Sequence, residues 1–496
     1  MTPAQWSSAR TTSFSLFTWT LVLALATLAA PASASARQAP AAQLDGRVLD
    51  PDGRPVAGAE VVVSGATAAP RVAVTDDEGR FTLTLPAARA VTVRATAPGL
   101  SADARRVAIE DGRASVTLTL RVAAIAETLV VSAAQVDLPL SQTADSVTVI
   151  AGADLARRQI HTLGGALRDV PGFAVAQNGG PGTVTSIFPR GGESDFTLVL
   201  VDGVRANAFG GGLDLSQVPL ANVDRIEVVR GPQSALYGAD AIGGVVHVIT
   251  RQGGAPTVDA HLEAGSRDAR RAALATSGTH AGWSWQLSAD RYEDAGFTGV
   301  APATGETVSN DDATQAQVAI ALGWRGARGT DIRASAHQVT TDRGAPGPYG
   351  TNPVGNFSGV DRVSRGETDR RSVALRIVQP WFGAASRVRQ RVDVDVADHD
   401  LEFLSAFGRS ESGTRRVHAR VQTDAAISAS LGASAGVEWL GERGTSTFIT
   451  AGAVEVPVER RVIGTFAEAR WQAADRLSVT AGVRAEHIRH EALAGN

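Results

Sequence analysis

The chain has 496 residues, enough for about two to four domains, and its formal net charge of −4 gives no reason to expect a nucleic-acid partner. It contains no cysteine, and its 47 basic residues are all arginine, which excludes disulfides, cysteine-zinc sites, a Walker A lysine and a Schiff-base lysine. No run of about 18 apolar residues follows the N-terminal region, so transmembrane helices are not expected there, whereas transmembrane strands leave a weaker signal and stay possible.

Residues 1–36 have the pattern of a secretory signal peptide. Arg10 provides a basic start, residues 14–30 form an apolar core, and Ala34-Ser35-Ala36 is a small-residue cleavage site. An uncleaved signal anchor is the alternative. Either way, export would place the rest of the chain in the bacterial envelope or outside it.

Residues 44–122 show short strand patterns separated by turn residues, which predicts a small antiparallel β-sandwich. The predicted strands include residues 61–63, 81–85, 91–95 and 116–120. Clustered aspartates near residues 50–52 and 76–77 indicate turns rather than a calcium loop, because the EF-hand spacing is absent. The motifs resemble the non-catalytic carboxypeptidase regulatory-like domain, through Gly46-Arg47-Val48, Asp52-Gly53-Arg54-Pro55-Val56-Ala57-Gly58-Ala59 and Thr75-Asp76-Asp77-Glu78-Gly79-Arg80-Phe81.

A short β-prone segment follows at residues 127–133. It precedes polar chain and Pro139, so it is expected to be extended and weakly anchored. Such a segment can add itself as a strand to the sheet edge of a partner, with the backbone supplying the hydrogen bonds. Its members are Glu127, Thr128, Leu129, Val130, Val131, Ser132 and Ala133.

Residues 137–252 alternate strand and short helix patterns, which predicts a mixed α/β domain. A strand is expected at 145–150 and helices at 153–159 and 162–170, the second ended by Pro171-Gly172. Three apolar runs, at 197–201, 225–229 and 245–249, are bounded by glycine, aspartate or proline, as strands are.

This domain resembles the plug of TonB-dependent outer-membrane transporters in five ordered blocks. The blocks are Arg190-Gly191, Val199-Leu200-Val201-Asp202-Gly203-Val204-Arg205, Val223-Asp224-Arg225-Ile226-Glu227-Val228-Val229-Arg230-Gly231-Pro232, Ser234-Ala235-Leu236-Tyr237-Gly238 and Ala241-Ile242-Gly243-Gly244-Val245-Val246. Residues 214–217 and 238–246 are most similar to the cobalamin-transporter branch. The resemblance implies that residues 127–133 are the TonB box, since they lie just before the plug.

The resemblance also implies roles for individual plug residues. Arg190, Glu227 and Arg230 are expected to form ion pairs with acidic residues of a surrounding barrel wall, the alternative being ordinary solvated strand ends. The apex of the plug, built from loops 177–181 and 207–213, is expected to contact the ligand. The candidate ligand-binding residues there are Gln177, Asn178, Asn207 and Phe209.

Residues 256–496 predict transmembrane β-strands, because long segments alternate apolar and polar residues with many charges on the polar side. About eleven strands are expected, with tight connections on one side and long ones, such as 293–312 and 342–369, on the other. They lie near residues 257–265, 270–279, 283–292, 313–325, 331–341, 370–379, 387–398, 414–427, 431–441, 460–471 and 477–489. Plugged barrels have about 22 strands, so we expect about the first half of an antiparallel barrel, in a chain that is a fragment.

Two further patterns suggest other chemistry and are weaker. Gly432-Ala433-Ser434-Ala435-Gly436 matches a hydrolase motif but falls inside a predicted strand instead of a strand–turn–helix. The nine histidines are scattered without a zinc-protease motif, so no metal site is expected. The loop acids could bind calcium, although solvated side chains are the preferred interpretation; they are Glu293, Asp294, Asp311, Asp312 and Asp361.

The whole pattern predicts a non-enzymatic, TonB-dependent active transporter of the bacterial cell outer membrane, mainly β, that works without a cofactor. Its expected cargo is a scarce large solute, cobalamin or a ferric siderophore. The alternatives are a transporter of glycans or other organic ligands, and a surface receptor or adhesin that does not transport. The expected partners are TonB of the inner-membrane complex, a small-molecule ligand and outer-membrane lipid, with no nucleic acid and a monomeric state.

Overall fold

A computed structural model describes residues 41–492 except 51, 65–70, 87, 89, 98–99, 103–104, 123–128, 131–137, 140–142, 181, 298, 301–304, 348–359, 385, 406–407, 429, 447–456 and 475–476. The predicted signal peptide, residues 1–36, lies outside this part of the chain. Two compact units are present, one comprising Pro31–Thr128 and one containing Leu129–Asn496. Strands make up 65% of the structure and helices 6%, which confirms the mainly β prediction.

The N-terminal unit consists of two sheets that share one apolar core. The first has the strand order β4-β1-β8, and the second β3-β2-β5-β6-β9 with β7 also paired to β5. Alternate side chains such as Val61 and Val63 enter the core beside Leu44 and Leu85. The strands are β1 (Ala41–Leu49), β2 (Glu60–Ser64), β3 (Arg71–Val74), β4 (Arg80–Pro86), β5 (Ala90–Ala97), β6 (Leu100–Ser101), β7 (Arg105–Ala108), β8 (Arg113–Thr119) and β9 (Arg121–Val122).

One pairing in this unit differs from the antiparallel prediction. Strands β1 and β8 are parallel, with Gly46 opposite Val116. The two strands are far apart in sequence, so no hairpin turn constrains their relative direction. The clustered aspartates form turns, as expected: Asp50 accepts hydrogen bonds from the backbone N–H groups of residues 52 and 54, and Asp76 from those of residues 78 and 80.

The second unit begins with a two-residue strand, β10 (Leu129–Val130), paired antiparallel with β11 (Leu138–Pro139). A five-stranded sheet of order β12-β17-β18-β15-β16 and a hairpin of β13 and β14 follow. The helices are Gly152–Arg157, Leu163–Leu167 and Ser234–Tyr237, with 3-10 turns at Ser194–Phe196, Leu215–Gln217 and Ala239–Ala241. The strands are β12 (Ser146–Ala151), β13 (Phe173–Gln177), β14 (Thr185–Pro189), β15 (Thr197–Val201), β16 (Val204–Arg205), β17 (Val223–Arg230) and β18 (Gly244–Thr250).

We call this mixed region, residues 143–252, the plug. Every residue of β18 is buried, as its mainly apolar sequence, interrupted by His247, predicts for a central strand. Strands β15 and β16 are joined by Asp202-Gly203 alone, and both residues have positive φ, of 50° and 91°. Asp-Gly is the pair that suits this two-residue turn, so the sequence signal and the backbone agree.

Eleven long strands then form a single sheet, which we call the wall. Each strand pairs antiparallel with the next along the chain, and the sheet is not closed into a complete barrel. The strands are β19 (Thr257–Ala264), β20 (Arg270–His280), β21 (Trp283–Asp294), β22 (Ala313–Arg325), β23 (Asp331–Gly344), β24 (Arg365–Pro380), β25 (Val388–Ser405), β26 (Gly408–Ala426), β27 (Leu431–Ser446), β28 (Val458–Ala474) and β29 (Leu477–Ala492). Among the described residues, no helix is both long and apolar enough to cross a lipid bilayer.

The two faces of the wall have opposite character. Large apolar side chains such as Val421, Trp439 and Ile463 are exposed on the outer face, while charged residues such as Arg420 and Glu438 are buried on the face toward the plug. In a water-soluble protein the apolar face would be buried and the charged face exposed. The opposite arrangement is what a sheet needs when it faces lipid outside and a polar interior inside. All eleven predicted strands are present.

One predicted connection was wrong. Residues 399–413 were expected between two wall strands, but β25 continues to Ser405 and β26 begins at Gly408. Charged residues make this stretch resemble a loop. In the wall they extend the strands beyond the apolar band, where both faces can be polar.

Candidate functional site

The plug contacts the wall through charged and polar side chains. Their centre is Glu438 of β27, whose carboxylate is 2% exposed. Arg205 of the plug lies 3.5 Å from it and Arg484 of β29 lies 3.3 Å from it, while Arg420 of β26 forms a closer ion pair. His418 approaches the same carboxylate to 3.7 Å. Several cations therefore share one buried anion at this interface.

A second carboxylate, Glu442, extends this network along β27. Arg416 and Arg460 each lie 2.5 Å from Glu442. Arg460 also reaches Asp240 of the plug at 3.4 Å, and Asp240 is 2.7 Å from Arg205. Burial alone would raise the pKa of Asp240, but Arg205 and Arg460 hold that pKa below its ordinary value. Asp240 is therefore ionised, and it links plug and wall electrostatically.

Wall arginines also donate to carbonyl oxygens of the plug. Arg416 donates to the backbone oxygen of Asn207 at 2.9 Å, and Arg420 to that of Leu236 at 3.3 Å. Each guanidinium has five donors in a fixed fork, so one arginine can bind an acid of the wall and a carbonyl of the plug together. These contacts hold the plug backbone without a complementary acid on the plug.

Asp202, in the turn between β15 and β16, forms a separate contact. Its carboxylate accepts hydrogen bonds from the N–H and hydroxyl of Thr250 at 2.9 and 2.8 Å, and His337 of the wall lies 3.2 Å away. Burial alone would raise the pKa of Asp202, but His337 and Thr250 hold the pKa well below its ordinary value. At the adjacent Gly203, which has a positive φ of 91°, a Cβ would lie 2.5 Å from Nη2 of Arg376, so a larger residue would displace the end of that arginine side chain.

Asp214 forms a third contact near the 3-10 turn Leu215–Gln217. Its carboxylate caps this turn by accepting from the N–H of Ser216 at 3.0 Å, and it pairs with Arg343 of the wall at 2.8 Å. In the same turn Gln217 donates to Thr368 at 3.1 Å. One oxygen of the Asp214 carboxylate, Oδ1, therefore shapes the turn, and the other, Oδ2, attaches it to the wall.

The residues predicted to pair with the wall have other contacts. Arg190 is exposed, with its backbone N–H bonded to Gly172, and Arg230 donates to the carbonyl of Pro171 at 3.2 Å. Glu227 is fully buried and accepts from Arg225 at 2.8 Å. These partners lie within the plug: Pro171 and Gly172 follow the helix Leu163–Leu167, and Arg225 is on the same strand as Glu227. Wall pairing of these three residues stays a prediction.

Sequence reasoning did not select Arg205, Asp214 and Asp240 as the residues that join plug and wall. Each is a charged residue beside a glycine-rich loop or short turn, which is a weak signal by itself. Their partners, Glu438, Arg343 and Arg460, lie 129–233 positions further along the chain. Local sequence contains no trace of such pairings.

The four candidate ligand-binding residues fall into two groups. Gln177 and Asn178 lie at the end of β13, where Gln177 accepts from Arg168 and donates to the carbonyl of Gly180. Their side chains are accessible at the tip of the β13–β14 hairpin, so direct ligand contact stays a prediction for them.

Asn207 is buried and bonded within the loop that follows β16. Its side chain is 6% exposed, and its carboxamide accepts from the N–H of Val199 and donates to the carbonyls of Thr197 and Gly211. These bonds hold the loop that follows β16 against β15. Asn207 thus determines the shape of the apex loop, and direct ligand contact by this residue stays a prediction.

Phe209, the last candidate, lies against the wall. Its backbone N–H donates to Thr414 at 3.1 Å, and the guanidinium of Arg460 is 5.8 Å from its ring centroid. A Cβ on Gly444 would lie 3.0 Å from the Phe209 ring. The aromatic side chain therefore fills a space next to a glycine of β27.

A cavity of about 1140 Å³ separates plug and wall at the end of the wall that has the tight connections. Nine arginines and four aspartates are among the residues that line it. Burial lowers the pKa of one lining residue, His247, to about 4, so its imidazole is neutral at pH 7. The lining is therefore positively charged, and water can reach the plug–wall interface from this end. The charged members are Asp202, Asp224, Arg225, Arg251, Arg325, Asp331, Arg333, Arg376, Arg387, Arg389, Arg391, Asp424 and Arg470.

The predicted TonB box is described in part. Leu129 and Val130 form the short strand opposite Leu138–Pro139, while residues 127–128 and 131–133 lie outside the described residues. The backbone at 129–130 is thus extended, as a segment that adds to a partner's sheet must be.

The remaining sequence motifs have structural partners. Ser434 lies within β27, donates to Asp424 at 2.5 Å and accepts from Arg470 at 3.0 Å, without the strand–turn–helix of a nucleophile elbow. Among the loop acids, Asp294 and Asp311 accept from backbone N–H groups, and Asp312 pairs with Arg365 at 2.9 Å. Protein donors occupy oxygens that a calcium ion would need.

Two family models match the chain. Residues 139–245 match the TonB-dependent receptor plug domain, and residues 43–123 match the carboxypeptidase regulatory-like domain. Both matches agree with the motifs described above.

Solved structures of outer-membrane receptors have a similar fold. The ferripyoverdine receptor of Pseudomonas aeruginosa, bound to ferripyoverdine, is 15% identical with a TM-score of 0.60, covering 78% of this chain and 58% of its own. The ferric yersiniabactin uptake receptor of Yersinia pestis is 18% identical with a TM-score of 0.56, covering 70% of this chain and 57% of its own. The ferric-catecholate import receptor of E. coli K12 is 16% identical with a TM-score of 0.56, covering 71% and 61%.

The chain thus spans about three fifths of the length of these receptors. The chain thus contains a TonB-dependent receptor plug domain and an N-terminal carboxypeptidase regulatory-like domain, and it has the fold of solved outer-membrane receptors.

Proposed function

We propose that the protein imports a scarce solute, too large for porins, across the outer membrane by a TonB-driven movement of the plug, and that it is not an enzyme. The observation that supports this most directly is the chemistry of the plug–wall interface. Ion pairs centred on Glu438 and Asp240 join the plug to the wall, and the buried carboxylate of Asp202 contacts His337 of the wall.

An interface of this kind suits a plug that must move. Buried ion pairs contribute little net stability, because the desolvation of both charges offsets their attraction. When water enters between them the charges are hydrated again, so separation costs less than opening an apolar core of equal area. The cavity of about 1140 Å³ gives water a place from which to enter.

Energy for the movement would come from outside the chain. The sequence has no lysine and therefore no Walker A nucleotide site. The extended strand at Leu129–Val130 precedes the plug and can pair with the sheet edge of TonB. Ligand binding at the apex would release this segment, and TonB would then pull on the plug.

For the cargo, a ferric siderophore is favoured over cobalamin. Receptors for ferripyoverdine, ferric yersiniabactin and ferric catecholates are among the proteins with a similar fold. A cargo that has passed the plug would meet the arginine excess of the cavity, which favours negative charge because a lining of one sign attracts solutes of the other. Cobalamin, glycans and other organic ligands are the competing cargoes.

Coupling can be tested by replacing Val130 with proline. Proline removes a backbone N–H that strand pairing needs, whereas the control Val130→Ile keeps it. In cells expressing the full-length receptor, Val130→Pro should bind ligand normally but lose TonB-dependent uptake, and Val130→Ile should retain both. Unchanged uptake in Val130→Pro would contradict coupling through this segment, whereas ligand binding without any uptake by the wild type would instead support a receptor or adhesin that does not transport.

Cargo can be tested by equilibrium binding of cyanocobalamin and of anionic ferric siderophores to the purified receptor. Tighter binding of a ferric siderophore, weakened by added salt, is expected. Preferential binding of cyanocobalamin would reject the siderophore assignment and leave the coupling mechanism intact.

A further inference from the structure

Three metal-ligand side chains meet where the plug touches the first wall strand. His161 lies between the helices Gly152–Arg157 and Leu163–Leu167, and His261 and Glu263 lie on β19. Residues two apart on a strand share one face, so both β19 side chains point toward the plug. The ligand atoms of all three groups lie within 4.8 Å of one another.

The distances match those between ligands of a tetrahedral metal ion. Nε2 of His161 and Nε2 of His261 are each 3.2 Å from Oε2 of Glu263. Tetrahedral ligands at the usual zinc distances of about 2.0–2.1 Å are separated by about 3.3 Å. The two imidazole rings are 5.9 Å apart and tilted by 52°, so they do not stack on each other.

We propose that His161, His261 and Glu263 bind one divalent transition-metal ion, with zinc the best match, and that this ion links the plug to the first wall strand. Two imidazole nitrogens and a carboxylate oxygen are ligands that zinc accepts in a four-coordinate site. Water would occupy the fourth position, since the chain offers no fourth ligand atom in the described cluster.

The surroundings permit a cation to enter. The three side chains are 32%, 44% and 43% exposed, so an ion can reach them from water. A positive charge that acts on this cluster is Arg271 of β20, which is buried and paired with Asp290 at 2.8 Å. That pair is close to neutral as a unit, which limits repulsion of a bound cation.

The arrangement has a mechanical consequence. One ligand belongs to the plug and two belong to the wall, so the ion must lose a ligand before the plug can leave β19. Residues 160–163 of the plug should exchange their amide hydrogens more slowly when the metal is bound.

The test uses the full-length receptor in detergent, freed of metal by a chelator and titrated with Zn²⁺ by calorimetry and with Co²⁺ by visible absorption. Wild type should bind one equivalent and show the absorption of tetrahedral cobalt. His161→Ala, His261→Ala and Glu263→Gln should each weaken binding at least about tenfold. His280→Ala, at the exposed end of β20, is the matched control and should bind as wild type does.

Zinc should also slow hydrogen exchange at residues 160–163 in wild type and in His280→Ala, but not in Glu263→Gln. Glu263→Gln keeps the volume of the side chain, so it separates loss of a ligand from loss of folding. Absence of binding by wild type, or equal binding by all the ligand variants, would overturn the proposal.

Discussion

Arg205 of the plug and Glu438 of the wall lie 3.5 Å apart, with side chains only 9% and 2% exposed. The two residues are 233 positions apart in sequence, one in the plug and one in the wall. Both residues have further partners, Asp240 for the arginine and Arg420 for the glutamate. The contact is therefore one link of a network, and its parts should respond together when one charge is removed.

Replacing Glu438 with glutamine should loosen the plug substantially. The change keeps the shape of the side chain but leaves Arg205, Arg420 and Arg484 without their shared buried anion. Removing one partner of a buried ion pair costs about 3–5 kcal/mol. Hydrogen exchange of Thr197–Val201 and urea unfolding of the purified receptor would measure the effect.

The control for this experiment is Glu402→Gln, which removes a partner of Arg409 in an exposed pair. Solvent screens that pair, so its loss should cost less than about 1 kcal/mol. Equal effects of the two substitutions would show that burial of the network is unimportant.

Acid should weaken the Asp202 contact. The folded pKa of Asp202 lies well below its unfolded value of about 4. The contact therefore contributes its full stability above about pH 4 and loses it as the pH falls below that value toward the folded pKa. Hydrogen exchange of Val204 and Arg205 between pH 3 and pH 7 should show increasing opening at the acid end.

Asp202→Asn should remove this acid dependence. It should also lower stability by about 1.5–3 kcal/mol at neutral pH, because the hydrogen bonds from Thr250 lose their charged acceptor. The control Asp224→Asn changes a carboxylate that is half exposed and should leave the pH profile unchanged. An acid response retained in Asp202→Asn would assign it to another group.

Replacing Asn207 with alanine should disorder the apex loop rather than remove a ligand contact. The substitution leaves the N–H of Val199 and the carbonyls of Thr197 and Gly211 without partners, at about 1–3 kcal/mol for each buried group. Ligand binding should weaken, together with faster hydrogen exchange at residues 208–213. Weaker ligand binding with unchanged hydrogen exchange would instead support a direct contact between Asn207 and the ligand.

The ring of Phe209 should make substitution of Gly444 destabilising. Alanine there places a Cβ 3.0 Å from the ring, which the ring can relieve only by shifting, at about 1 kcal/mol or more. The double variant Gly444→Ala with Phe209→Ala should show little of this cost, since the ring is absent. A double-mutant cycle of urea stabilities gives the coupling, and purely additive effects would contradict the contact.

Several features were predictable because they depend on neighbours in the chain. The Asp202-Gly203 turn needs only two residues that tolerate positive φ, and the strands of the wall need only alternation with period two. The five plug blocks resemble a known family closely enough to indicate the domain. Residues 399–413 were wrongly predicted as a connection. They belong to the ends of β25 and β26, where polar residues on both faces leave no alternation of apolar and polar side chains.

The sequence by itself determined the order of sandwich, plug and wall, since turn chemistry and side-chain alternation are local properties. Tertiary structure decided which charges meet. Arg205 finds Glu438, and His161 meets Glu263, only because the plug is seated against particular strands in a particular register. It also decided that Arg230 bonds to a plug carbonyl and that Asn207 supports a loop. The partner of a side chain across a folded interface depends on how the two surfaces are oriented in space. The sequence near the residue does not specify that orientation.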